Sequence, residues 1–257
     1  MMSKKIVFVG AGPGDPELIT VRGRRLLDTA DRIIYAGSLV NTVLLDKVKA
    51  RLYDSAGLDL DEIVHLMKEG WRAGELVVRL HTGDPALYGA IREQIQRLDQ
   101  ENIPYEVVPG VSSAFAAAAA LGQELTAPEV SQTVIFTRRA GRTPVPEREG
   151  LEHLALIGAT MCIFLSAAMM EKVVAELMAG GYSGDTPAAV VARVSWPDQQ
   201  VVRGCLADIA GKAAVAGISK TAVILVGGAL GGEPGPESLL YASGFSHGYR
   251  TGRKKTR

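Results

Sequence analysis

Along the first half of the chain, short apolar runs alternate with longer segments whose apolar residues recur at helical spacing. This pattern predicts strands at 5–9, 33–35, 51–53, 76–81 and 105–108, with helices near 17–29, 40–48, 59–72 and 88–100. Asp59, followed three residues on by Glu62, has the form of a capping box at the start of the third helix. Repeated β-α alternation implies crossover connections, so this half reads as an open sheet of parallel strands. Its functional loops should follow the carboxyl ends of the strands, at 10–16, 36–39, 81–89 and 109–113.

The second half repeats the alternation less regularly. Strands are expected near 133–137, 160–165, 188–194, 200–203 and 221–226, and helices near 113–121, 147–157, 168–179 and 205–214. The link Ser195-Trp-Pro-Asp-Gln199 is too short for a crossover, which predicts an antiparallel hairpin and a mixed second sheet. Pro109-Gly110 is the expected hinge. The expectation is therefore two α/β domains, 1–109 with a parallel sheet and 110–231 with a mixed one, followed by a Gly/Pro-rich and then basic stretch, 232–257, expected to be a flexible tail.

Composition narrows the function. With 257 residues, 47% of them hydrophobic, the chain can bury the cores that two domains need. Lys and Arg number 28 and so do Asp and Glu, which argues against a nucleic-acid coat. Cys162 and Cys205 offer neither a disulfide framework nor zinc spacing, and both read as small hydrophobes in a reducing, cytoplasmic compartment. No apolar run reaches membrane-spanning length, and no bound metal is expected from the scattered His65, His81, His153 and His247.

The loop Gly10-Ala-Gly-Pro-Gly-Asp15 looks like a nucleotide loop and departs from the common ones. No lysine or hydroxyl follows Gly14 before Thr20, as a P-loop requires, and the glycines do not fall at dinucleotide spacing. Pro13 removes a donor and stiffens the turn, so the segment reads as a wall or as a plain strand-to-helix turn. In Thr82-Gly-Asp-Pro85, Asp84 either serves the turn or offers a carboxylate to a hydroxyl or amine. Ser112 and Ser113 either cap a helix or meet a small polar ligand. Arg138, Arg139 and Arg142 form a solvated loop or grip carboxylates. His81, near Asp84, is the one histidine worth testing as an acid-base group, against a hydrogen-bonded structural role. The poverty of acid-base constellations suits transfer of an already activated group, for which a protein supplies alignment and water exclusion.

Taken together, Gly10-Ala-Gly-Pro-Gly-Asp-Pro-Glu-Leu-Ile-Thr20, Gly83-Asp-Pro85 and Pro109-Gly-Val-Ser-Ser113, in that order, resemble the tetrapyrrole methylase family over residues 5 to 230. These enzymes use S-adenosylmethionine (SAM), releasing S-adenosylhomocysteine, to methylate ring carbons of corrinoid and sirohaem precursors. Tyr35-Ala-Gly-Ser-Leu-Val40 and the arginine loop 137–146 look like the branch acting at C11 of precorrin-4 or its cobalt form. Another ring carbon, or RNA methylation on the same fold, is the alternative. The resemblance implies a homodimer of two-domain chains, a polycarboxylate tetrapyrrole substrate, no nucleic-acid or membrane partner, and SAM in the cleft between the domains. It places Pro13, Thr82, Gly83, Asp84, Ser112, Ser113 and Leu165 near SAM, with Ala192, Thr221 and Ala222 as further contacts. It puts Asp15, Tyr35 and Ser38 on the substrate side, and Arg138, Arg139 and Arg142 against the substrate carboxylates. No catalytic base is assigned.

Overall fold

The computed structural model describes residues 5–231 and 238–252. The chain divides into two compact units, Met1–Ala117 together with Arg193–Gln199, and Ala118–Ala192 together with Gln200–Arg257.

In the first unit, β1 (Ile6–Gly10), β2 (Arg32–Tyr35), β3 (Arg51–Asp54), β4 (Val77–His81) and β5 (Tyr105–Val108) form one parallel sheet in the order β3-β2-β4-β1-β5. Every residue of β1 and β4 is buried, which is why β1 is a continuous apolar run and not an alternation, while β4 carries Arg79 and His81 among its buried apolar residues. Chain direction decides which face each connection covers. Crossovers are right-handed, so the links leaving β1 and β2 toward one edge lie on one face, and those leaving β3 and β4 lie on the other. Leu27 of α1 (Val21–Thr29) accordingly packs with Leu44 and Leu45, while Val64 and Met67 of α2 (Leu60–Arg72) pack with Leu98 of α3 (Ile91–Asp99). Each such buried side chain contributes about 1.5–3 kcal/mol of hydrophobic stabilisation. The capping box at α2 is present, with Asp59 Oδ1 accepting from the Glu62 N–H at 2.9 Å and Glu62 Oε2 from the Asp59 N–H at 2.8 Å.

In the second unit β6 (Val134–Arg138) runs parallel to β7 (Thr160–Phe164), while β8 (Pro187–Ala192), β9 (Gln200–Cys205) and β10 (Ala222–Val226) complete a mixed sheet, β6-β7-β10-β8-β9. The antiparallel β8-β9 pair is the hairpin expected from the short link. Following α4 (Ser113–Leu121) in chain order, α5 (Leu151–Ala155), α6 (Met170–Ala179) and α7 (Ile209–Val215) cover one face of this sheet, where Leu151, Val173, Leu177 and Ile209 meet Met161, Ile163, Val190 and Ile224.

Several expected boundaries move, for local reasons. The helix expected at 40–48 is only a 3-10 turn, Thr42–Leu45, capped by Asn41 and closed by the Asp46 N–H to the Val43 carbonyl. The helix expected from 88 begins at Ile91, because Tyr88 and Ala90 take left-handed backbone angles. The stretch expected to be helical over 147–157 is split at Gly150, whose backbone is extended. Strands expected to reach Leu165 and Val194 and to start at Thr221 are shorter, since Leu165, Arg193 and Thr221 have φ of 54°, 48° and 51°. Of the expected tail, 238–252 holds a short turn at Leu239–Tyr241 and an Arg250 guanidinium donating to the Leu240 and Ala242 carbonyls at 2.6 and 2.9 Å. The remainder lies outside the described residues. No helix among the described residues is long and apolar enough to cross a membrane.

Candidate functional site

In the first unit the carboxyl ends of β1, β4 and β5 meet in a knot of backbone. A side chain at Gly10 would place its Cβ 2.6 Å from both the Gly110 Cα and the Gly83 carbonyl oxygen, so only glycine permits this crossing. The loops are tied by the Ala11 N–H to the His81 carbonyl at 2.7 Å and the Gly83 N–H to the Gly12 carbonyl at 2.8 Å. Asp84 completes the tie. Its Oδ2 accepts from the Gly110 N–H at 2.9 Å and its Oδ1 from the Ala86 N–H at 2.8 Å. Gly110 is thus a pinned crossing point. Pro13 is buried in this region, and Thr82, Gly83 and Ser113 are half-buried. Ser112 is buried at the start of α4, and its Oγ accepts from the Ala114 N–H at 3.4 Å, so one of the two serines does act as a cap.

The other expected residues of this unit stand at the same end of the sheet. Asp15 Oδ1 caps the 3-10 turn Pro16–Leu18 by accepting from the Glu17 N–H at 2.9 Å. Tyr35, half-buried at the end of β2, gives its carbonyl to the Ser55 N–H and Oγ at 2.8 and 3.0 Å, and Ser38 is exposed on the following turn. The sequence reading missed the segment Arg193–Gln199, which belongs to this unit. Trp196 Nε1–H donates to the Pro13 carbonyl at 3.1 Å, and Ser195 Oγ accepts from the Asp15 N–H at 2.9 Å. A tryptophan in a short interstrand link was the available signal. Nothing local in the sequence ties it to Pro13, 183 residues away.

His81 is not an acid-base group at neutral pH, nor is its Nε2 hydrogen-bonded. It is 6% exposed on β4, its Nε2 has no partner, and burial, aided by the charge of Arg79, lowers its pKa to about 3. Arg79 is itself buried without a carboxylate. Its Nε–H donates to Gln94 Oε1 at 3.3 Å and an Nη1–H to the Ile34 carbonyl at 3.2 Å, and burial lowers its pKa to about 10.

In the second unit the register gathers the remaining expected residues at one end of the sheet. Ala222 pairs with Ala192, Ile224 pairs with Ile163, and Arg138 pairs with Phe164, so Leu165, Ala192, Thr221, Ala222 and Arg138 share that end. Leu165 is 70% exposed and left-handed, and Thr221 is a β-branched residue in the same conformation. Such backbone costs about 1–3 kcal/mol and persists where the surroundings impose it, most often at ligand sites. The arginines are not equivalent. Arg138 donates to the Thr143 and Pro144 carbonyls at 3.2 and 2.7 Å and so shapes its own loop. Arg139 pairs with Glu176 at 2.6 Å. Arg142 is exposed and has no partner among the described residues. Cys162 is buried and its thiol is pushed up to about 12, so it packs as a small apolar group. The described residues include no cluster of His, Cys, Asp and Glu able to hold a metal ion.

These features define a two-sheet α/β protein whose strand-end loops present backbone groups, hydroxyls and guanidiniums in place of a side-chain acid-base pair. Residues 5–210 match the model of the Tetrapyrrole (Corrin/Porphyrin) Methylases, and the chain belongs to that family. The chain is 54% identical, over 98% of each sequence, to a cobalt-precorrin-4 C(11)-methyltransferase of Methanocaldococcus jannaschii. Its fold superposes with a TM-score of 0.87 on the X-ray structure of a cobalamin biosynthetic enzyme, cobalt precorrin-4 methyltransferase, at 49% identity, covering 89% of this chain and 96% of that one. It is also similar to the uroporphyrin-III C-methyl transferase of Thermus thermophilus complexed with S-adenyl homocysteine, with a TM-score of 0.75 and 28% identity over 88% and 98% of the two chains.

Proposed function

We propose that this chain is a SAM-dependent methyltransferase that adds a methyl group at C11 of precorrin-4, or of its cobalt form, in cobalamin biosynthesis. The reading rests chiefly on the 54% identity, along nearly the whole chain, to a relative named for that reaction. Bound SAM supplies a methyl group already activated by its sulfonium charge, so the transfer asks the protein for alignment more than for acid-base chemistry. The site fits that demand. The imidazole of His81 is buried and neutral, whereas the groups at the strand ends are fixed backbone dipoles and hydroxyls.

In this reading Pro13, Thr82, Gly83, Asp84, Ser112 and Ser113 hold SAM from the first unit, with Asp84 acting by fixing the crossing of Gly83 and Gly110. Leu165, Ala192, Thr221 and Ala222 hold it from the second. Asp15, Tyr35 and Ser38 border the tetrapyrrole. Arg142, whose charge is uncommitted, grips a peripheral carboxylate, while Arg138 and Arg139 set the loop that carries it. Domains 1–109 and 110–231 complete this assignment. The working form is a cytoplasmic homodimer, a reading carried over from the resemblance, with the free thiols Cys162 and Cys205 in keeping with a reducing compartment.

The test is anaerobic incubation of the purified protein with labelled SAM and enzymatically prepared precorrin-4 or cobalt-precorrin-4. One methyl added at C11, located by mass spectrometry and NMR, is the expected result, and the relative rates assign the metal state of the substrate. Incorporation at another ring carbon, or none with SAM bound, overturns it. Light scattering checks the dimer.

A further inference from the structure

We propose that Trp196 is a positioning residue that fixes residues 13–15 so that the Gly14 N–H is left as the loop's acceptor-seeking donor for a substrate carboxylate. The proposal rests on the assignment of this loop to the substrate border.

The backbone of the loop is almost fully committed. The Ala11 N–H donates to the His81 carbonyl at 2.7 Å, the Gly12 N–H to the Gly83 carbonyl at 3.3 Å, and the Asp15 N–H to Ser195 Oγ at 2.9 Å. Pro13 has no N–H. Only the Gly14 N–H lacks an acceptor among the described residues, although Gly14 is buried. A buried backbone donor without an acceptor costs free energy comparable to a lost hydrogen bond, so native folds supply one from protein, water or ligand.

Trp196 sets the direction of that donor. Its Nε1–H holds the Pro13 carbonyl at 3.1 Å, and Asn41 Nδ2–H holds the Gly14 carbonyl at 2.8 Å. Because the peptide unit is planar and trans, the Gly14 N–H points opposite to the Pro13 carbonyl and therefore away from the indole nitrogen. The ring leaves no room for a side chain at Gly14, where an added Cβ would overlap Cδ1 and Nε1. The indole is itself held. The Arg193 guanidinium lies 4.3 Å from the ring centroid and pairs with Asp198 at 2.6 Å. Arg193 and Ser195 take φ of 48° and 62°, a strained turn retained around the indole.

The test is Trp196→Phe, which keeps an aromatic ring and removes the N–H, read by steady-state kinetics, SAM binding and hydrogen exchange of the segment 11–15. Losing one aimed, charge-assisted hydrogen bond should raise KM for the tetrapyrrole about ten-fold, with kcat within about two-fold and a smaller rise in the Kd for SAM, since Pro13 is also assigned to the cofactor. Exchange in the segment should quicken. Ser195→Ala, which leaves the indole in place, should give a smaller rise of about three-fold in KM, and it serves if the first variant does not fold. Unchanged KM, or equal losses in KM, kcat and SAM affinity, overturns the positioning role. If the wild type turns over no C11 substrate, exchange decides. Quickening in Trp196→Phe then keeps the clamp while the proposed function falls, and unchanged exchange removes the clamp.

Discussion

Acidification from about pH 7 to about pH 5 is expected to remove about 2 kcal/mol from the stability of the first unit through His81 alone. The imidazole is 6% exposed with its Nε2 unpartnered, and burial lowers its pKa from 6.5 to about 3. Between those values the unfolded chain binds a proton that the folded chain refuses. Stability is therefore full above about pH 6.5 and falls as pH drops toward about 3, by roughly 1.4 kcal/mol per pH unit. Over the roughly 1.5 units down to pH 5 that amounts to about 2 kcal/mol, a large part of a typical domain's margin. Carboxylates such as Glu106, held below their ordinary range by a hydrogen bond from Lys5, lose their contribution only at lower pH. Both tryptophans, Trp71 and Trp196, lie in the first unit, so urea unfolding followed by tryptophan fluorescence reports on it. His81→Asn should flatten the dependence between pH 7 and pH 5, whatever its effect at neutral pH. A variant whose stability falls with pH as steeply as the wild type refutes the assignment.

Three further outcomes follow from the site. Asp84→Ala leaves the Gly110 and Ala86 N–H groups without their acceptor, so a loss of about 1–3 kcal/mol and weaker SAM binding are expected, by thermal melting and calorimetry, with Asp84→Asn milder. Unaltered SAM affinity in the alanine variant would detach Asp84 from the cofactor site. Arg142→Glu should raise KM for the tetrapyrrole about ten-fold with SAM affinity kept, whereas Arg139→Ala, which breaks the Glu176 pair, should lower stability as well. Equal kinetic loss in both would contradict the division of roles. Leu165→Gly relieves a left-handed leucine and should stabilise the second unit by up to about 1 kcal/mol while weakening SAM binding. A clear destabilisation with SAM binding intact would make the residue structural.

Much of the architecture was legible in the sequence because burial on both faces writes itself as a continuous apolar run, as in Ile6-Val-Phe-Val9, and because the Asp59-Glu62 cap is a local signal. The length of the 195–199 link sufficed to make β8 and β9 antiparallel. The loops that matter were marked by their glycines and by Asp84, and the resemblance named their family. The reach of each side chain was not legible. Three arginines within five positions look alike in sequence, yet Glu176 takes Arg139, loop carbonyls take Arg138, and Arg142 is left uncommitted. His81, near Asp84, was open to either an acid-base or a structural role, and its enclosure on β4 is what lowers its pKa to about 3. The hold of Trp196 on Pro13 joins segments far apart in the chain and has no local signature. Periodicity, caps and link lengths act over a few residues and are written in order along the chain. The ionisation of a buried group and the aim of a backbone N–H depend on whatever the fold brings against them, and only the tertiary structure decides that.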